Sequence, residues 1–148
     1  MIAGPPGCHR RRPRLEWLRS LAAQFGTTLP GRPAVRGEHT RKIGAVGLER
    51  LMRTKHRPDE VFCANDAVAI GAMDKAEELG VGFPGEVALI GHDDAQFASL
   101  VRPRLSTVRN PAVEVGRAAA QLLIERLNGR VPQKTVHVKA GFISRGTV

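Results

Sequence analysis

The stretch that most constrains this chain is residues 61–94, VFCANDAVAIGAMDKAEELGVGFPGEVALIGHDD. It begins with a short apolar run at 61–64 and contains a second at 87–90, and each run has the character of a buried strand. Between them, apolar residues recur at three- and four-residue steps, which is typical of a helix with one buried face. Asn65-Asp66 can cap the start of that helix, and Gly80 ends it. The stretch therefore predicts one right-handed strand–helix–strand unit with parallel strands.

Polar residues follow both predicted strands. Asn65 comes after the first strand, and Asp93-Asp94 comes after the second. In open parallel sheets, ligands bind outside the carboxyl ends of the strands. Asn65 and Asp93 are therefore predicted to line one crevice.

The same alternation of strand and helix signals continues along the chain and predicts an α/β fold, in which an open parallel sheet is flanked by helices in three αβα layers. Helices are predicted at residues 14–25, 41–55, 66–79 and 112–128, and strands at 34–36, 61–64, 87–90, 105–108, 136–138 and 142–144. A short helical segment is expected within residues 95–101. In the first helix, the inward face is expected to consist of Leu15, Leu18, Leu21, Ala22 and Phe25.

The composition is that of one soluble globular domain. The 148 residues suffice for a single hydrophobic core, and 42% hydrophobic with 25% charged residues is ordinary for such a domain. No apolar run approaches the roughly 20 residues of a membrane span, and the first residues show no signal-peptide pattern. The two cysteines, Cys8 and Cys63, offer no disulfide framework. These features lead us to expect a cytoplasmic protein.

The formal net charge of +9 raises the question of nucleic-acid binding, and its densest run is residues 9–14, HRRRPR. However, the chain has no Tyr, few other aromatic residues, and no helix-turn-helix or zinc-finger pattern. The other arginines are spread along the sequence. We therefore interpret the charge as a solvated basic surface, and we expect no sequence-specific DNA binding by this chain alone.

Three separated blocks carry a resemblance to a known family. They read F-C-A-N-D-x-x-A-I-G-A at 62–72, L-G-V-x-x-P-x-E-V-A-L-I-G-x-D-D at 79–94, and R-P-x-L-S-T-V-R-N-P at 102–111. In this order, the blocks resemble the effector-binding domain of the lac/galactose repressor family, which has a periplasmic-binding-protein-like fold. The resemblance covers nearly the whole chain, which corresponds to about the second half of such a repressor.

The resemblance also implies how the chain is divided. All of residues 1–148 would form a single effector-binding domain fragment with one lobe largely complete and the other mostly missing. Residues 4–108 and 131–148 would belong to the C-terminal lobe. Residues 109–130 would contribute a helix to the N-terminal lobe, whose sheet lies upstream, together with the helix-turn-helix headpiece and the hinge.

A set of ligand-binding residues follows from the family pattern, position by position. The resemblance implies Arg14 at the start of the first helix, Asn65 and Asp93 at strand ends, and Asn110 at the crossover strand. His39 stands where the family places an aromatic wall, and Trp17 stands where it places a small glycine. The chemistry of the set is coherent, because a guanidinium donates hydrogen bonds in a fixed fork, an amide donates and accepts, and a carboxylate accepts from hydroxyls.

The function implied is that of a non-enzymatic sensor that binds a sugar-like or purine-like effector and biases two arrangements of its lobes. Operator DNA would be bound only through the missing headpiece, and no cofactor or membrane partner is implied. The family forms homodimers through the helix after Asn65-Asp66 and the segment after Asp93-Asp94. The apolar residues expected at that contact are Val68, Ala72, Phe97 and Leu100.

Two other functions remain open on the sequence. The first is a metal-assisted or acid-base enzyme that uses Asp93 or Asp94, although neighbouring side chains on an extended segment point in opposite directions. In our interpretation, Asp93 meets the ligand, and Asp94 caps the helical segment at Ala95. No C-x-x-C or H-x-x-x-H element and no nucleophile–base motif is present, so we expect no metal, no cofactor and no catalysis. The second alternative is a periplasmic sugar-binding protein, which shares the fold.

Overall fold

The structure is a computed structural model that describes residues 1–5, 11–27, 29, 35–131 and 135–148, and for residues 11–14 it describes the backbone alone. Four helices lie in this part of the chain: α1 (Arg11–Gln24), α2 (Arg41–Met52), α3 (Asp66–Leu79) and α4 (Ala112–Leu127). Six strands accompany them: β1 (Ile2–Ala3), β2 (Val35–Arg36), β3 (Glu60–Phe62), β4 (Ala88–Asp93), β5 (Ser106–Arg109) and β6 (Gly141–Ile143). A short 3-10 turn, Gln96–Ser99, occupies the predicted helical segment after β4.

The strands pair mostly in parallel, as the crossover unit predicts. β3 pairs with β4 and β4 with β5 in parallel, whereas β6 is antiparallel to β5. β1 and β2 form a separate parallel pair. A parallel bridge between Ile2 and Cys63 joins the two groups, so that β1 lies beside the end of β3. The predicted α/β architecture is confirmed, with an antiparallel strand at one edge.

The prediction of a strand at residues 136–138 is wrong. These residues adopt no regular structure, and β6 is confined to Gly141–Ile143. The register explains the difference, because Gly141 is paired with Arg109, the last residue of β5. Residues that precede Gly141 therefore lie beyond the end of β5 and have no strand backbone there to pair with. Alternation of apolar and polar side chains cannot replace those backbone hydrogen bonds.

Helices α2 and α3 pack closely through glycines. A Cβ on Gly44 of α2 would overlap the Val68 carbonyl oxygen, and a Cβ on Gly71 of α3 would overlap the Arg41 carbonyl oxygen. Arg41 also joins the two helices through its side chain, whose Nε lies 3.0 Å from Asp74 Oδ2. Glycines lower the helical propensity of α2, but here they allow the two backbones to approach.

The core lies between these helices and the sheet. Its largest fully buried apolar side chains are Ile2, Leu48, Val61, Val68, Leu89 and Leu105. Val68 and Ala72 are both 0% exposed, so the expectation that they lie at a dimer contact is wrong. The α3 helix buries them against α2, because the glycine contacts bring that helix within reach.

The outer helices α1 and α4 contribute little to this core. Leu21 of α1 is 44% exposed, and Phe25, just after the helix, is 82% exposed, so the expectation that both face inward is wrong. The periodic pattern identifies an apolar face but not the surface that covers it. No residue of α4 is buried. Among the described helices, none has the length and apolar character required to cross a membrane.

Candidate functional site

Polar side chains gather where the parallel strands end. Asn65 follows β3, Asp93 is the last residue of β4, and Asn110 follows β5. These are three neighbouring strands in the sheet order. Carboxyl ends of parallel strands meet at one edge, and ligands of open α/β sheets bind there. This edge is our candidate site.

Asn65 has a structural role at this edge. Its Oδ1 accepts a hydrogen bond of 2.9 Å from the Val68 backbone N–H and so caps α3. The capping bond fixes the side chain and uses only its oxygen. The NH2 group of the half-buried side chain takes no part in that bond, so it is a donor available at the strand end.

Asp93 is the most accessible carboxylate of the corner, by which we mean Asp93, Asp94 and the residues that contact them at the end of β4. Its backbone has a φ of 118°, and its side chain is 45% exposed. Oδ1 lies 2.9 Å from His92 Nδ1. The Asp93 carbonyl oxygen accepts from the backbone N–H of Asn110 at 3.4 Å, which places the exposed Asn110 beside it. Asp93 and Asn110 are therefore adjacent across β4 and β5.

Asp94 has the opposite environment. Its side chain is 11% exposed and forms ion pairs with Arg145 Nη2 at 2.6 Å and with Arg109 Nε at 2.7 Å. Burial alone would raise the pKa of the Asp94 carboxyl, but the hydrogen bonds and positive charges of Arg145 and Arg109 outweigh burial and hold its pKa below the ordinary value. Asp94 is thus an internal anchor of the corner.

The expectation that Asp94 caps the helical turn is wrong, because Asp66 supplies that acceptor. Asp66 Oδ2 accepts from the Ala95 backbone N–H at 2.7 Å, and Oδ1 accepts from the Thr107 hydroxyl at 2.6 Å. Asp66 is 1% exposed. A Cβ on Gly91 would overlap Oδ1, so only glycine fits at that point of β4. The sequence showed Asn65-Asp66 as two possible caps, but not that Asp66 ties α3 to β5.

His39 and Arg14 complete the set suggested by the sequence. His39 is exposed, and its ring lies over Gly4, just after β1, where a Cβ would overlap Nε2. It therefore lies at the same edge as the strand ends. Arg14 begins the second turn of α1, but its side chain is outside the described residues, as is the basic run of residues 9–14.

The structure also contains a cleft away from this edge. It has a volume of about 460 Å³ and is lined by α3, the turn after it, and the segment before β5: Ile70, Met73, Asp74, Ala76, Glu77, Val81, Gly82, Phe83, Val101, Arg102 and Pro103. Asn65, Asp93, Asn110 and His39 are not among the described residues that line it. We place the candidate site at the strand ends, because the polar groups converge there.

The described residues contain few groups that could bind a metal ion or act as a nucleophile. No group of three His, Cys, Asp or Glu side chains suited to a metal ion occurs among the described residues. Cys63 is fully buried, and burial raises the pKa of its thiol to about 12. The Cys63 side chain is therefore a protonated core residue at neutral pH.

Comparison with known proteins places this geometry in a family. The family described as periplasmic binding protein-like domain matches residues 1–148. The transcriptional repressor PurR of Klebsiella pneumoniae subsp. pneumoniae is 28% identical over 149 residues, which cover 100% of this chain and 44% of that repressor. The chain thus spans less than half the length of this relative.

Solved structures agree. A LacI-family regulatory protein from Chloroflexus aggregans superposes with a TM-score of 0.89 at 30% identity, over 99% of this chain and 53% of that one. A sugar-binding LacI-family regulator from Escherichia coli, complexed with phosphate, superposes with a TM-score of 0.85 at 28% identity. The superposition covers 99% of this chain and 54% of that regulator. This chain therefore belongs to the periplasmic binding protein-like domain family, and it is similar to about half of LacI-family transcriptional regulators of known structure.

Proposed function

We propose that this chain is the ligand-sensing part of a transcriptional regulator and that it binds a small sugar-like or purine-like effector at the ends of β3, β4 and β5. The observation that carries the proposal is the convergence of Asn65, Asp93 and Asn110 at adjacent strand ends. His39 contributes a ring at the β1 end of the same edge, and Arg14 is assigned to the site from the family pattern alone.

The chemistry of these groups suits a polyhydroxyl or heterocyclic ligand. Asp93 provides carboxylate oxygens that accept from hydroxyl or ring N–H groups, and Asn65 and Asn110 provide amides that both donate and accept. Asp94 and Asp66 hold the corner in place through their bonds to Arg145, Arg109, Thr107 and Ala95. Ligand binding without catalysis is the activity that these groups support.

We further propose that residues 4–108 and 131–148 form one lobe, and that residues 109–130 dock a helix on a second lobe. The apolar, unburied α4 supports this division, since Val113 is 71%, Leu123 59% and Leu127 77% exposed. Effector binding between two lobes would shift the equilibrium between their arrangements. A headpiece joined to that second lobe would bind operator DNA in the cytoplasm, and the lobe arrangement would control that binding.

A homodimer is the assembly we propose. Phe97 is 42% and Leu100 73% exposed, on the segment between β4 and β5. Val101, the residue after Leu100, lines the cleft together with Ile70 and Met73 of α3. Exposed apolar residues that lie together are typical of an interaction surface, and two-fold symmetry is the commonest way for one surface to pair with a copy of itself.

The site can be tested by NMR titration of the ¹⁵N-labelled chain with D-ribose, D-glucose, D-galactose and hypoxanthine. We expect at least one of them to shift the amide signals of Asn65 and Asp93. This chain would supply only one of the two lobes that enclose the ligand, so much of the ligand surface would stay in solvent. Because less ligand surface is buried, we expect a Kd no better than about 1 mM, compared with roughly 1 μM for a closed two-lobe cleft. The Asp93→Asn variant should abolish the shifts.

The matched control is Asp59→Asn. Asp59 is also exposed, but it precedes β3 and so lies at the opposite end of the strands. Binding should survive this change. Equal loss in both variants, or shifts confined to other surfaces, would show that the strand ends are not the site.

A further inference from the structure

His92 and Asp93 make a contact that strand geometry does not normally allow. Side chains of consecutive strand residues point to opposite faces, and His92 pairs with Val108 as an ordinary member of β4. At Asp93 the backbone leaves strand geometry with a φ of 118°. The carboxylate is thereby turned toward its neighbour, and Oδ1 lies 2.9 Å from His92 Nδ1.

This contact determines which part of Asp93 faces a ligand. An ionised carboxylate has two oxygens and about four acceptor positions. The His92 ring, whose side chain is 19% exposed, engages one oxygen and screens that side from solvent. The Asp93 side chain as a whole remains 45% exposed, and no described residue donates a hydrogen bond to its second oxygen, Oδ2.

Arg109 does not take that second oxygen. It is the register partner of Asp93 on β5, where opposite charges would ordinarily pair. Its Nε instead lies 2.7 Å from Asp94 Oδ2. Asp94 therefore binds the Arg109 guanidinium, and Asp93 Oδ2 can accept a hydrogen bond from a ligand.

We propose that His92 is a specificity-determining residue: by occupying Asp93 Oδ1, it favours ligands that approach Asp93 with a single hydroxyl over vicinal diols that would use both carboxylate oxygens. The inference rests on the proposed function, because it concerns the same strand-end site. It narrows the ligand class to hydroxyl compounds bound through one oxygen of Asp93.

Two variants isolate this role. Phe at position 92 keeps a ring but has no nitrogen to engage Asp93, whereas Asn can keep an N–H donor near the position of Nδ1. The probes are methyl β-D-ribofuranoside and inosine, each beside its 2-deoxy analogue. The ribose ring of each parent compound has one vicinal hydroxyl pair, at C2 and C3, and the 2-deoxy analogue has none. Kd values are measured by ¹H–¹⁵N titration of the folded chain.

With His92→Phe, we expect the affinity for the diol-bearing sugars to rise about fivefold, which is the effect of one additional hydrogen bond. The affinity for the 2-deoxy analogues should stay unchanged, and His92→Asn should behave as the parent chain. The same change for both members of a sugar pair, or no change in a chain that binds them, would overturn the proposal.

A second measurement does not depend on binding. The ¹⁵N resonances of the His92 ring in the unliganded chain should move when Asp93 is replaced by Asn, because the partner of Nδ1 then changes. Ring signals that stay constant would show that the contact is absent and would refute the proposal. If no sugar binds any variant, the specificity role fails, and if hypoxanthine also fails to bind, the proposed function fails as well. A moving ring signal would still establish the His92–Asp93 contact.

Discussion

Asp93 and Asp94 are neighbours with opposite environments, and the difference arises from the partners that each backbone angle permits. Asp93 is turned outward beside His92, whereas Asp94, with a φ of 55°, is enclosed by Arg109 and Arg145. A non-glycine residue at positive φ carries conformational strain that its surroundings must offset. The two ion pairs of Asp94 are the contacts that hold this corner.

The stability supplied by Asp94 should depend on pH in a defined direction. Its pKa is lower in the folded protein, so its ion pairs stabilise the fold above the unfolded pKa of about 4. This contribution is lost as the pH falls through the folded pKa. We expect Asp94→Asn to lower the free energy of unfolding by roughly 2 kcal/mol at pH 7, with the deficit shrinking below pH ~4.

Urea denaturation of both chains at several pH values between 7 and 3 measures this deficit. Asp59→Asn serves as the control, because Asp59 is exposed and the change should alter the free energy of unfolding by less than about 0.5 kcal/mol. A deficit for Asp94→Asn that stays constant with pH would contradict the assigned ion pairs.

For single residues, the sequence predicted where a side chain lies in the fold better than which side chains it binds. The rule that ligands bind at strand ends was enough to place Asn65 and Asp93 at one edge, because it requires only strand boundaries and parallel order. Asn110 came from the family resemblance. The bond between Asp94 and Arg145 joins residues 51 positions apart. It depends on where β6 docks, and no local pattern contains that register.

At the scale of elements, the α2–α3 contact shows why a helix can contain glycines at a cost in propensity. Gly44 and Gly71 each face a backbone carbonyl of the other helix. Sequence patterns located both helices, since start and stop residues are local signals. The predicted bounds of α3 are correct, whereas α2 ends at Met52, three residues before the predicted end. The closeness of the crossing could not be predicted, because it depends on which glycines of two separate helices meet.

Two helical glycines should respond oppositely to the same substitution. Gly71→Ala should destabilise the fold by about 1–3 kcal/mol, because the added methyl group has no space beside the Arg41 carbonyl. Gly116 of α4 has nothing within 4 Å of an added Cβ, and there alanine should increase helix stability by about 0.5–1 kcal/mol. Urea unfolding monitored by circular dichroism measures both, and destabilisation by the two changes alike would rule out this explanation.

At the scale of the whole molecule, the distribution of apolar surface is uneven. The core is concentrated around α2, α3 and the sheet, whereas α1, α4 and the segment around Leu100 leave large apolar side chains exposed. Amphipathic periodicity predicted α4, but which of its faces would be covered depends on contacts beyond the helix itself.

We expect the chain to self-associate through the Phe97–Leu100 side. Leu100→Asp should weaken the dimer at least tenfold in sedimentation equilibrium, because a charge would be buried without a partner. Val131→Asp is the matched control. Val131 is 98% exposed but lies outside this surface, and its replacement should leave the association constant unchanged. A parent chain that remains monomeric at high concentration would contradict the proposed dimer.

The buried Thr147 has a consequence for the order in which the chain can complete its fold. Its hydroxyl donates to the Leu89 carbonyl oxygen at 2.7 Å and accepts from the Ser106 backbone N–H at 2.9 Å, so it bridges β4 and β5. Arg145, two residues earlier, binds Asp94. During translation, β4 and β5 emerge from the ribosome before either residue exists. The central strands must therefore wait for the segment after β6 before their buried polar groups are all paired. A ribosome stalled before Arg145 would leave both the sheet and the ligand site at the strand ends unfinished.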